Sequence, residues 1–193
     1  MEANTMINVI KSLPAEMAVL IRGPHGIGKS QIVKGLAAQL DLEVVDVRAS
    51  TMQEGDVVGY PDLESIKATG VSTFALPAWY VAACKEPKVL FLDELNRGLI
   101  GVLNGMFQII LDRELGNGPD GKPMKLHPDT RVLAAVNNGS EYTVNEMDPA
   151  LLDRFWVTDL KPTAQEWLDW ASASGVSSVI VDFIRNHPEH LRP

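Results

Sequence analysis

Cysteine is almost absent from this chain: Cys84 stands alone, so no disulfide can close within it and a reducing compartment is expected. Histidine is scarce too. His127, His187 and His190 have no cysteine or carboxylate partners at metal-ligand spacing, which argues against a zinc site. Positive charge is in deficit, 17 lysines and arginines against 25 acidic residues. The formal net charge of -8 leaves no general excess with which to hold a nucleic-acid backbone. No apolar run approaches the roughly 20 residues a membrane-spanning helix needs. No charged-then-apolar signal segment opens the chain, so the expected location is the cytoplasm. What the chain has in quantity is apolar side chains, 46% of 193 residues. That suffices for one globular domain with a small appendage.

The apolar residues change period along the chain. Met6, Ile7, Ile10 and Leu13 recur at helical spacing, and Pro14 ends the pattern. Met17 to Arg22 is a short apolar run followed by glycine, as in a buried strand. Ile32, Val33, Leu36, Ala37 and Leu40 then fall on one helical face, and Glu43 to Val47 reads as a second strand. Between Ala49 and Pro87 the pattern is broken by Gly55, Gly59, Pro61, Gly70 and Pro77. The alternation in "GVSTFALP" predicts a small hairpin inserted on the scaffold. Lys88 to Glu94 is the strongest strand, apolar without interruption and so covered on both faces. A helix is predicted over Asn96 to Leu111, apolar nearly all round, with Leu99, Leu103, Met106 and Ile110 on one stripe and Ile100, Phe107 and Leu111 on another. After the turn-rich "GNGPDGKP", Thr130 to Val136 reads as a fourth core strand. Thr163 with Glu166 forms a capping box that opens a helix, and a last helix starts near Ser178. Strands alternating with helices predict an α/β fold with a parallel central sheet flanked by helices.

Four stretches carry chemistry. Gly23, Pro24, His25, Gly26, Ile27, Gly28, Lys29 and Ser30 spell G-x-x-x-x-G-K-S, with Gln31 directly after. Glycines in this pattern let backbone N–H groups surround phosphates, while Lys29 reaches the β/γ oxygens and the Ser30 hydroxyl ligates Mg²⁺. His25 is a filler position, because only backbone there must touch phosphate. Asp93 and Glu94 close the apolar run "VLFL", at the strand edge where ligands sit in open α/β sheets. Beside a phosphate loop, Asp93 can hold the metal and Glu94 can polarise a water for attack on the γ-phosphate, which tilts the reading toward hydrolysis. Asn137, at the end of "VLAAVN", is placed to hydrogen-bond that water or the phosphate. Arg154, in "DPALLDRF", is a candidate arginine finger, and since Lys29 and the metal already fill the chain's own phosphate site, it would act on a neighbour's nucleotide.

In this order and spacing, "GPHGIGKS", "VLFLDELNR", "VLAAVNN" and "MDPALLDRF" resemble the Walker A, Walker B, sensor 1 and arginine-finger segments of AAA+ ATPases. "DVVGYPD" and "FLDELNRG" are similar to the MoxR-type branch. The resemblance implies a P-loop AAA+ core over residues 1–160, with a helix-2 hairpin insertion around residues 63–76. It further implies a partial C-terminal helical lid over 161–193. ATP and Mg²⁺ would be bound by the Walker A residues and Asp93, with Glu94 as base, Asn137 as sensor 1 and Arg154 as trans finger. Sensor 1 is assigned to Asn137 rather than Asn138 because it lies nearer the strand end. Arg97 and Arg113 would face a subunit boundary. The implied partners are copies of the chain, in a hexameric ring, and a protein client remodelled by the ATP cycle, in this branch commonly a von Willebrand A-domain protein. Two rival readings stand beside this. One is a switch or motor on nucleic acid, against which Lys67 is the single cation in Leu63 to Leu76. The other is an ATP-binding assembly factor with negligible turnover.

Overall fold

The computed structural model describes residues 1–116, 122–137, 147 and 149–191. Helix α1 (Ala3–Ser12) leads into β1 (Ala18–Gly23), α2 (Lys29–Gln39) and β2 (Glu43–Arg48). A short α3 (Gly55–Val58), β3 (Tyr60–Pro61), α4 (Leu63–Thr69), β4 (Phe74–Ala75) and α5 (Ala78–Lys85) follow. Then come β5 (Lys88–Asp93), α6 (Ile100–Asp112), β6 (Glu114–Leu115), β7 (Met124–Lys125) and β8 (Arg131–Asn137). The chain continues through α7 (Pro149–Leu152), β9 (Phe155–Asp159), α8 (Ala164–Ala173) and α9 (Ser178–Asn186).

Five strands form one parallel sheet in the order β2-β5-β8-β1-β9. The central strands are apolar without a break because each face is covered, and alternate residues serve different layers. Val19, Ile21, Val89, Phe91, Leu133 and Ala135 pack under α1 and α2 with Met6, Ile10, Val33 and Leu36. Leu20, Leu90, Leu92, Val132 and Ala134 pack on the other face with Tyr80, Val102, Met106 and Ile109. Helices α8 and α9 pair through a separate small cluster, Leu168, Ala171, Val181 and Ile184, to which Trp167 adds its ring.

Four local readings of the sequence are revised. The helix predicted from Asn96 begins at Ile100, because Glu94 takes a left-handed conformation (φ 52°) and Leu95–Arg97 form a separate 3-10 turn. Its two predicted stripes are not equivalent, for Ile100 and Leu111 of one lie exposed while Met106 and Ile110 of the other are buried, and Leu99, exposed, precedes the helix. The segment read as a hairpin has paired ends, Tyr60 opposite Ala75 and Pro61 opposite Phe74, but α4 lies between them. Asp62 caps that helix by accepting from the Glu64 and Ser65 N–H groups, and Gly70 ends it at φ 71°. Finally β9, which the sequence did not announce, is the fifth strand. As an edge strand laddered to β1 alone, it is buried only at Phe155 and Thr158 and lacks the continuous apolar run. The predicted capping box is present, with the Thr163 hydroxyl accepting from the Glu166 N–H and the Glu166 carboxylate from the Thr163 N–H.

Candidate active site

The carboxyl ends of β1, β5 and β8 converge at one edge of the sheet, and the loop from Gly23 to Gly28 turns over them into α2. Gly28 stands at the N-cap with φ 91° and Gly26 at φ 78°, backbone conformations that side chains with a Cβ resist. No side chain caps α2, so the N–H groups of its first turn are left to meet an anion. Pro24, His25 and Gly26 are exposed on the loop, and Gln31 is exposed on α2.

Lys29 is buried, and its three N–H donors meet three acceptors. The Gly23 carbonyl lies at 3.0 Å, the Pro24 carbonyl at 2.8 Å and Asn137 Oδ1 at 2.7 Å. Burial draws its pKa below that of an ordinary lysine, while the charges of Asp93 and Glu94 oppose the shift. The Ser30 hydroxyl lies 3.3 Å from Asp93 Oδ2, and Asp93 Oδ1 accepts from the Glu94 N–H at 2.9 Å. Arg48, at the end of β2, approaches the same Asp93 carboxylate at 3.8 Å. The Glu94 carboxylate accepts from the Ser50 hydroxyl and lies 3.6 Å from Arg97 Nη1. Asn137 is buried, and its carbonyl accepts from Asn96 Nδ2 at 3.2 Å.

Lys29, Ser30, Asp93, Glu94 and Asn137 are therefore brought into one crevice from three segments of the chain. Arg154 is not among them. It is exposed and immediately precedes β9, whose first residue pairs with Ala18 at the far end of β1 from the phosphate loop. Asn138 lies outside the described residues. Arg113 does not face outward as expected: its guanidinium donates to the carbonyls of Ala15, His127, Pro128 and Thr130. Sequence reasoning missed Arg48, Ser50 and Asn96, whose sole signal is that each lies at or just beyond the carboxyl end of a strand.

A hydroxyl and a carboxylate this close make a hard-oxygen donor pair suited to Mg²⁺, which takes one or two protein oxygens and completes its shell with phosphate and water. Among the described residues no helix is long and apolar enough to cross a membrane, and no cluster of three or more His, Cys, Asp or Glu could hold a metal by itself.

Comparison with known proteins agrees with this geometry. The chain is 29% identical over 154 residues to the denitrification regulatory protein NirQ of Stutzerimonas stutzeri, covering 78% of this chain and 54% of NirQ. It is 20% identical over 175 residues to the type IV methyl-directed restriction enzyme EcoKMcrB subunit of Escherichia coli K12, covering 82% of this chain and 38% of that protein. The chain thus spans about half or less of these relatives. Among solved structures, a candidate ATPase from Cytophaga hutchinsonii superimposes with TM-score 0.65 at 16% identity, over 91% of this chain and 51% of that one. NtrX from Brucella abortus, solved with ADP, gives TM-score 0.58 at 17% identity, over 91% of this chain and 42% of that one. At such identity these likenesses speak for the fold. The profile of the AAA domain, dynein-related subfamily, matches residues 18–155, from the first residue of β1 to the first of β9. A match over that much of the chain places it in the family: it belongs to the dynein-related subfamily of AAA domains.

Proposed function

We propose that this domain hydrolyses Mg-ATP at an interface between copies of itself in a hexameric ring, and that the cycle remodels a protein client. The observation that carries the chemistry is the convergence on one crevice of a buried ammonium, a hydroxyl-carboxylate pair and a second carboxylate. ATP phosphates would lie over the N-terminus of α2, with Lys29 turning from Asn137 Oδ1 to the β/γ oxygens. Ser30 and Asp93 would hold Mg²⁺, whose chemistry is to neutralise charge developing on those oxygens. Glu94 accepts the proton of the attacking water once it leaves Ser50 and Arg97, and Asn137 orients that water. Arg154, remote from its own phosphate loop, serves the next copy's γ-phosphate. The protein-client reading is supported by Tyr60, Leu63, Val71 and Phe74, apolar side chains exposed together on the β3-α4-β4 segment, where Lys67 is the lone cation of residues 63–76.

Glu94→Gln tests the assignment. It is expected to keep ATP binding, to lower steady-state phosphate release by about 10²-fold or more, and to accumulate as a ring when sized by light scattering with ATP. Full turnover in Glu94→Gln would remove the base from the mechanism.

A further inference from the structure

The reading above leaves Asn96 without a role. It is the middle residue of the 3-10 turn after Glu94 and only 6% exposed, and its Nδ2 donates to the Asn137 carbonyl. The strand register shows what this bond replaces. β5 and β8 are laddered only as far as Leu92 opposite Ala134, whereas β1 stays laddered to β8 as far as Gly23 opposite Asn137. Past Ala134, β8 is therefore laddered on its β1 edge alone, because β5 ends at Asp93 and Glu94 turns the chain at φ 52°. The Asn96 amide reaches across this gap and donates where a β5 N–H would otherwise do so.

The other half of the amide supplies a second observation. Asn96 Oδ1 is buried and has no hydrogen-bond partner among the described residues. A buried acceptor left unpaired is costly, and an aliphatic side chain would fill the same space without it. Packing alone does not account for an asparagine here. Reversing the amide would set Oδ1 against the Asn137 carbonyl, so the bond from Nδ2 fixes its orientation.

We propose that Asn96 is a positioning residue of the hydrolytic site. It holds the end of β8 against the acidic turn, so that the Asn137 amide and the Glu94 carboxylate keep one mutual geometry. The inference rests on the hydrolytic reading of Glu94 and Asn137.

The test compares Asn96→Ala, Asn137→Ala and the double variant, with Glu94→Gln as reference. Asn96→Ala is expected to lower kcat by about 10-fold or more with KM for ATP within about twofold. The double variant should be no slower than the slower single, because both substitutions remove one placement. Deuterium uptake at residues 135–137, measured without nucleotide, should rise in Asn96→Ala, an effect independent of activity. Wild-type kcat in Asn96→Ala, losses that multiply in the double variant, or unchanged uptake would each overturn the inference. If Glu94→Gln and Asn137→Ala both turn over normally, the hydrolytic reading itself falls. Asn96 then has no catalytic placement to serve, and the uptake result alone decides whether it clasps the strand end.

Discussion

Lys29 shows most sharply how one side chain is held by its surroundings. Three carbonyl-type oxygens meet its three N–H groups at 2.7 to 3.0 Å, a tetrahedral demand that the flat guanidinium of arginine does not match. Lys29→Arg is therefore expected to behave like Lys29→Ala, each weakening ATP binding by about 10²-fold or more in calorimetry, since two or three charge-assisted hydrogen bonds are lost. Arginine binding within a few-fold of wild type would show that charge alone suffices. At this scale the glycine-rich loop into α2 was legible because its shape is set by backbone, and backbone geometry imposes glycines at set spacings. Asp93, Glu94 and Asn137 were legible as polar residues closing apolar runs. Ser50 and Asn96 were not. They meet Glu94 and Asn137 across 44 and 41 residues of sequence, and nothing local marks a side chain whose partner is brought to it by folding.

Among elements, legibility followed burial. β1, β5 and β8 announce themselves because both faces are covered. α4 buries no residue, so its Asp62 cap and Gly70 stop passed for loop composition. β9 has one laddered neighbour and reads as a mixed segment. The capping box was legible, but its reach was not. The Glu166 carboxylate accepts from the Thr163 N–H and also from the N–H groups of Ala3 and Asn4, so one side chain caps α8 and α1 together. Burial pushes its pKa up, yet these N–H bonds outweigh it and hold the carboxyl below the usual glutamate range. A depressed folded pKa means stability that is present above the ordinary value and lost as pH falls through the folded one. Glu166→Gln is expected to cost on the order of 1–2 kcal/mol near neutral pH. As pH falls below the ordinary glutamate range its thermal midpoint should decline less steeply than that of the wild type. Parallel declines would deny the carboxylate this part.

For the whole molecule, the parallel α/β architecture was readable from the alternation of periods, whereas assembly is not written in contacts within one chain. Leu99 and Ile100 stand exposed beside the acidic turn, and Val179, Ile180 and Phe183 stand exposed on α9. Together with the distance of Arg154 from its own phosphate loop, they favour a site finished by a second copy. That yields a complementation experiment. Arg154→Ala should bind ATP yet turn over slowly, and Lys29→Ala should bind it about 10²-fold or more weakly. Mixed, they are expected to regain phosphate release that neither shows alone, because the second chain lends its arginine to the first. A mixture as inactive as its components would mean that each chain completes its own site.

The edge strand β9 would give such an assembly a mechanical property. Arg154 sits at one end. At the other, Asp159 is paired with Arg22 and the Leu160 N–H is bonded to the Arg22 carbonyl, one residue from the phosphate loop. Five residues of extended chain span about 16 Å and hardly stretch. β9 thus links its two ends as one extended segment. In the ring proposed above, displacement at a chain's own phosphate loop would be carried along it to the arginine offered to the next copy, so that neighbouring sites would fire in sequence rather than at random.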